Sequence, residues 1–175
     1  RQPNAKVMIQ YEPVGVVAAF TSWNFPVVLA ARKIAPAIAA GCSVILRPAE
    51  EAPGSVMSFF QCLHEVGFPS GVINLINGYP DNVSPVLMSD KRVRKISLTG
   101  STRVGKLLLK ASAETLKRTS MELGGHAPVI VYDDADAELV AEQAAIVKFK
   151  HCGQVCASPS RYFIHEKSVD AFSEK

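Results

Sequence analysis

Short apolar runs rich in β-branched residues alternate with helix-forming stretches along most of this 175-residue chain. That alternation restricts the fold more than any other feature. Val14-Gly15-Val16-Val17-Ala18-Ala19-Phe20 reads as a buried strand. Val27 to Ala40, after Pro26, is rich in Ala, Leu and Ile and favours a helix. Pro36 is expected to bend or divide that helix, and Gly41 to end it. Ser43 to Arg47 reads as a second strand, stopped by Pro48. Ser55 to Val66 is helical by pattern, with Gly67 as its stop, and Val72 to Ile76 is a third strand leading into an Asn77-Gly78 turn. A short helix over Ser84 to Met88 precedes a fourth strand at Lys95 to Thr99. Ser101 or Thr102 can cap the helix that follows through Leu116, and Arg118 to Leu123 is a fifth strand.

Strand and helix in strict turn predict an α/β fold, a Rossmann-like doubly wound parallel sheet with helices on both faces. After Gly124-Gly125 the character changes. Pro128 to Val131 reads as a strand, Asp134 or Asp136 opens a helix to about Lys150, and a strand near Tyr162 to Ile164 follows a cysteine-bearing loop. The expected division is residues 1–125 as one domain and 126–175 as the beginning of a second α/β domain.

Apolar residues make up 48% of the chain, which excludes a disordered chain. The net charge of +3 is small. The basic run Lys91-Arg92-Val93-Arg94-Lys95 reads as a solvated lead-in to a strand. Aromatic residues are few and not interleaved with it, which argues against a nucleic-acid surface. Cys42, Cys62, Cys152 and Cys156 lack the Cys-x-x-Cys spacing of a metal site, so no metal is expected. Three of the four are expected to be small buried apolar residues. Pro, Gly, Lys and Arg break the longest apolar stretches, so no membrane span is expected. Free thiols fit a reducing cytoplasm.

Four blocks carry chemistry. Gly153-Gln154-Val155-Cys156 offers a thiol nucleophile, and Met121-Glu122-Leu123-Gly124-Gly125 a carboxylate base beside two permissive glycines. Thr21-Ser22-Trp23-Asn24-Phe25-Pro26 offers an amide for an oxyanion. Thr99-Gly100-Ser101-Thr102-Arg103-Val104-Gly105 forms a strand-to-helix turn suited to phosphate, though it lacks the Gly-x-Gly-x-x-Gly fingerprint. In this order and with these separations the blocks resemble the aldehyde dehydrogenase superfamily, most closely its succinate-semialdehyde-dehydrogenase-like branch. The resemblance runs from about Val14 to Phe172.

The resemblance implies NAD(P)-dependent oxidation of an aldehyde, in the semialdehyde branch one carrying a carboxylate, to an acid through a cysteine thioester. It implies Cys156 as nucleophile, Glu122 as general base for hydrolysis and Asn24 as oxyanion donor. A thiol is mostly protonated at neutral pH and an ordinary carboxylate is a weak base, so both roles call for help from their surroundings, for Glu122 by burial. The presence of Glu122 also separates the chain from the CoA-acylating branch. The cofactor would lie on Thr21, Ser22, Trp23, Gly100, Ser101, Gly105, Leu123 and Gly124. The family's Lys-Pro-x-Glu, whose Lys and Glu contact the adenosine ribose, appears here as Arg47-Pro48-Ala49-Glu50. A guanidinium suits a 2′-phosphate and Glu50 repels one. The balance favours NAD, because Glu50 can accept from both ribose hydroxyls, and leaves NADP open. His151 stands where the family commonly has Asn. Arg32 and Lys33 read as a solvated helix face. Full-length members are longer and homo-oligomeric, so the chain is expected to be a fragment with little turnover by itself; the alternative is an inactive nucleotide-binding remnant.

Overall fold

The computed structural model describes residues 6–175, and the chain divides into two compact units, one ending at Glu122 and one beginning at Leu123. Among the described residues of the first unit, five strands form one sheet: β1 (Val16–Phe20), β2 (Val44–Arg47), β3 (Ile73–Leu75), β4 (Val93–Thr99) and β5 (Arg118–Glu122). All pairings are parallel, in the order β3-β2-β1-β4-β5. The helices α1 (Pro26–Ala39), α2 (Pro53–Glu65), α3 (Pro80–Ser89) and α4 (Thr102–Ala113) join successive strands. This is the expected α/β fold with its Rossmann-like parallel sheet. Strands covered on both faces need continuous apolar runs. Accordingly Ala18, Ala19, Val44, Leu46 and Ile96 are wholly buried, and Ala30 and Ile34 of α1 pack with Val17, Val44, Leu46 and Val56 into one core.

Pro36 does not divide α1. It lies in the last turn, where a missing N–H removes a single bond. The helix then closes on Gly41, whose φ of +73° is left-handed. The N–H of Gly41 donates to Ile38 O at 2.8 Å and that of Cys42 to Ala37 O at 2.9 Å, the paired bonds of a Schellman ending. Two helices begin earlier than the pattern suggested, at Pro53 and Pro80, because proline suits a first helical position that has no N–H to satisfy. The fourth strand also begins earlier, at Val93. Val93, Arg94 and Lys95 of the basic run therefore belong to β4 and are not a lead-in, and Lys95 Nζ donates to Ser120 Oγ at 2.7 Å.

The second unit contains β6 (Val129–Val131) parallel to β7 (Tyr162–Ile164), joined through α5 (Ala137–Phe149), with α6 (Val169–Glu174) at its end. Asp136 opens α5: its Oδ1 accepts from Leu139 N at 3.1 Å. Tyr162 packs on Phe172, ring centroids 5.8 Å apart. Ile130 and Phe163 are register partners, and both are exposed. Among the described residues no helix is long and apolar enough to cross a membrane, and no cluster of three metal-ligating side chains occurs.

Candidate active site

The strand order reverses between β1 and β4, which are neighbours and lead away to opposite sides. In open parallel sheets the crevice at that reversal, beyond the carboxyl ends, takes the ligand. The first unit brings its expected site residues to that edge. Thr21 N donates to Arg47 O at 3.3 Å, tying the ends of β1 and β2, and Gly100 N to Glu122 O at 3.0 Å, tying those of β4 and β5, while β1 pairs with β4 through Phe20 and Leu98. Thr21 is buried, and its Oγ1 has no hydrogen-bond partner among the described residues. An orphaned hydroxyl at the reversal is a place where a ligand group would complete the bonding.

The α4 N-terminus follows β4. Ser101 caps it, its Oγ accepting from Val104 N at 3.3 Å, and Ser101 and Thr102 are both exposed. An exposed start to a 12-residue helix suits a phosphate. Gly105 is buried one turn further, where a missing side chain favours close packing of the helix. A Cβ on Gly124 would meet no described atom within 4 Å, and the same holds for Gly125. Neither has a positive φ, so the chain's own packing and backbone do not demand glycine at either position. These features fit a dinucleotide.

Arg47 at the end of β2 is buried rather than a surface group. Its Nε and Nη2 donate to Gly78 O at 3.1 and 2.8 Å, and Nη2 also pairs with Glu50 Oε2. Partial burial works against ionisation of Glu50. Its own backbone N–H and the Arg47 guanidinium outweigh that and hold the carboxyl below the usual carboxylate range.

Asn24 lies in the loop between β1 and α1, half-buried beside the exposed Trp23. Its Oδ1 accepts from Ser22 Oγ at 2.9 Å, which orients the amide. Ser22 thereby gains a role in aiming Asn24. Lys33, expected on a solvated face, is half-buried, while Arg32 is exposed. Lys33 Nζ donates to Ser97 Oγ at 2.9 Å. Burial of its ammonium pushes Lys33 down to about 8; the Glu122 carboxylate pulls the other way, and Lys95 adds to the fall. Lys33 is thus a charged neighbour of Glu122 that the sequence reading missed. The signal was its spacing, three residues after Ala30 and four before Ala37, on the apolar stripe of α1. Glu122 itself is exposed at the end of β5, not buried as a strong base would require.

The second unit holds Cys156. A 3-10 turn over Lys150–Gly153 carries three left-handed residues in succession, His151 (φ +53°), Cys152 (φ +56°) and Gly153 (φ +74°). Gln154 N donates to His151 O and Ser158 N to Val155 O, both at 3.0 Å, so Cys156 sits in the second of two successive turns. Ser158 Oγ ties this loop back to Lys148 O at 3.2 Å. Only Cys42 is buried; Cys62, Cys152 and Cys156 are all exposed, against the expectation of three buried thiols. Cys62 faces out because it lies on the solvent side of α2, whose buried residue is Val56.

A parallel sheet with this reversal and an exposed helix start beside it define the first unit as an α/β scaffold with a ligand edge of the nucleotide-binding kind. The aldehyde dehydrogenase family model matches residues 1–175, and the chain belongs to that family. It is 46% identical to the 3-sulfolactaldehyde dehydrogenase of Pseudomonas putida, over 99% of this chain and 36% of that protein. The crystal structure of succinate-semialdehyde dehydrogenase from Burkholderia pseudomallei superposes with a TM-score of 0.90 at 45% identity, over 93% of this chain and 34% of that one. Betaine aldehyde dehydrogenase from Staphylococcus aureus, in complex with NAD+, gives 0.90 at 42% identity, over 93% and 32%. The chain therefore spans about a third of the length of these relatives.

Proposed function

We propose that the chain is the cofactor-binding and nucleophile-bearing portion of an NAD-dependent aldehyde dehydrogenase acting on a semialdehyde. The carrying observation is the strand reversal between β1 and β4, with Thr21 and the α4 start beside it. The 3-sulfolactaldehyde and succinate-semialdehyde relatives support an anionic aldehyde as substrate, and the NAD+ complex of the betaine aldehyde relative supports the cofactor. NAD is favoured over NADP because Glu50 remains ionised and repels a 2′-phosphate. Residues up to Gly125 are the cofactor domain in this reading, and 126–175 the start of the catalytic domain. The nucleophilic thiol suits the reducing cytoplasm.

The chemistry assigned to the chain runs through its own groups. The Cys156 thiolate adds to the aldehyde carbon and gives a tetrahedral thiohemiacetal. The Asn24 amide and the Cys156 N–H stabilise its oxyanion, one such donor being worth about 3 kcal/mol of barrier. When bound, NAD supplies the acceptor for the hydride that leaves that carbon. A Cys156 thioester remains. Glu122 takes a proton from water, the hydroxide adds to the thioester carbonyl, and the acid departs with return of the thiolate.

The test is single-turnover NADH formation, at most one equivalent per Cys156, from succinic semialdehyde by the purified chain and by its Cys156→Ala variant. Hydride transfer that disappears with the sulfur supports the reading; NADH formation that survives Cys156→Ala overturns the nucleophile. A second reading, a nucleotide-binding remnant, is favoured by the exposure of Glu122. It predicts NAD binding with no NADH from any aldehyde.

A further inference from the structure

We propose that Arg47 is a positioning residue for nucleotide selectivity, which acts through Glu50 and the turn at Gly78 and does not itself touch the cofactor. This rests on the reading of the first unit as a dinucleotide site. An arginine that reads a 2′-phosphate must present its planar fork to that phosphate. The fork formed by Nε and Nη2 of Arg47 is closed on the Gly78 carbonyl, at 3.1 and 2.8 Å. Nη2 also serves Glu50, and the side chain is only 8% exposed. Glu50 is the partner that reaches solvent, 42% exposed, at the same carboxyl edge.

The consequence is a fixed carboxylate. Arg47 occupies Oε2 and leaves acceptor capacity on Oε1 for a ribose diol. A carboxylate tied through Oε2 to a buried guanidinium is kept at that edge, so the clamp converts a repulsion into a selectivity. Lysine reproduces it less firmly: its three donors radiate from one nitrogen and cannot set two N–H groups side by side on the Gly78 carbonyl while pairing with the carboxylate. The substitution of Arg for the family's lysine thus ties selectivity to the turn between β3 and α3, which no cofactor contact would do.

Calorimetric titration of the purified chain with NAD and with NADP tests this, using Arg47→Lys, Arg47→Met, Glu50→Gln and the two double variants. Arg47→Lys keeps the charge and guards against loss of the fold, which a thermal melt checks. The preference for NAD should narrow several-fold in both Arg47 variants. In the Glu50→Gln background the same Arg47 substitutions should change the ratio by less than about twofold, the mark of a residue acting through its neighbour. Additive effects, or a loss of NADP binding larger than the loss of NAD binding, would overturn the clamp. A native chain that binds neither nucleotide would instead overturn the dinucleotide reading itself.

Discussion

His151 and Cys152 hold backbone conformations that few side chains accept. Left-handed φ is open to Gly and, among other residues, is enriched in Asn, Asp and His. This gives a physical account of the position where the family commonly carries Asn and this chain carries His. His151→Asn should leave stability unchanged or slightly raised. His151→Val should cost about 1–3 kcal/mol in urea unfolding, because a β-branched residue is strained there. Lys33 offers a second check at this scale. Its pKa lies near 8 in the folded chain, below the 10.5 of a free lysine. The unfolded chain therefore binds the extra proton between those values, and stability from this group rises with pH across that window. Below about 8 the cost of burying the ammonium is fully present. Urea unfolding near pH 7 and near pH 10 should show a rise in the native chain that is smaller in Lys33→Met; equal rises would remove the assigned burial cost. Neither residue was read in advance, although the spacing of Lys33 on the apolar stripe of α1 carried a signal. A left-handed φ leaves no periodic trace, and a lysine on an apolar stripe resembles one on a solvated face until the sheet beneath it is seen.

The elements were legible where local chemistry is decisive. Gly41, Gly67 and Asp136 end or begin helices as their types require, and the β-branched runs form strands. Boundaries moved at Pro53 and Pro80, which start helices that the pattern began only at Ser55 and Ser84. At Gly41 an added Cβ would meet Pro13 Cγ at 2.9 Å on a left-handed backbone. Gly41→Ala should therefore lower stability by about 1–2 kcal/mol in chemical denaturation, while Gly54→Ala, in α2 with open space around it, should stabilise. A Gly41→Ala chain as stable as the native one would remove the Schellman ending as an anchor of α1.

For the whole molecule, the alternation of strand and helix carried the parallel, doubly wound sheet, because right-handed crossovers leave few arrangements, while the strand order β3-β2-β1-β4-β5 came from the structure. The sequence did not reveal how much of the candidate site the chain would cover by itself: Glu122 stays exposed, and so do Ile130 and Phe163 on one face of the small sheet. Exposed apolar faces of that kind favour association. Light scattering should show concentration-dependent self-association that weakens when Ile130 and Phe163 are both changed to Thr.

The central proposal is Cys156 as the reacting thiol of a nucleotide-dependent aldehyde oxidation. Cys62, Cys152 and Cys156 are all exposed, so access alone does not separate them. The direct measurement is the rate of iodoacetamide alkylation at each cysteine, read by peptide mass spectrometry with and without NAD. Alkylation concentrated on Cys156, at a rate that NAD alters, is the predicted result. Equal rates at Cys62, Cys152 and Cys156, indifferent to NAD, would contradict it.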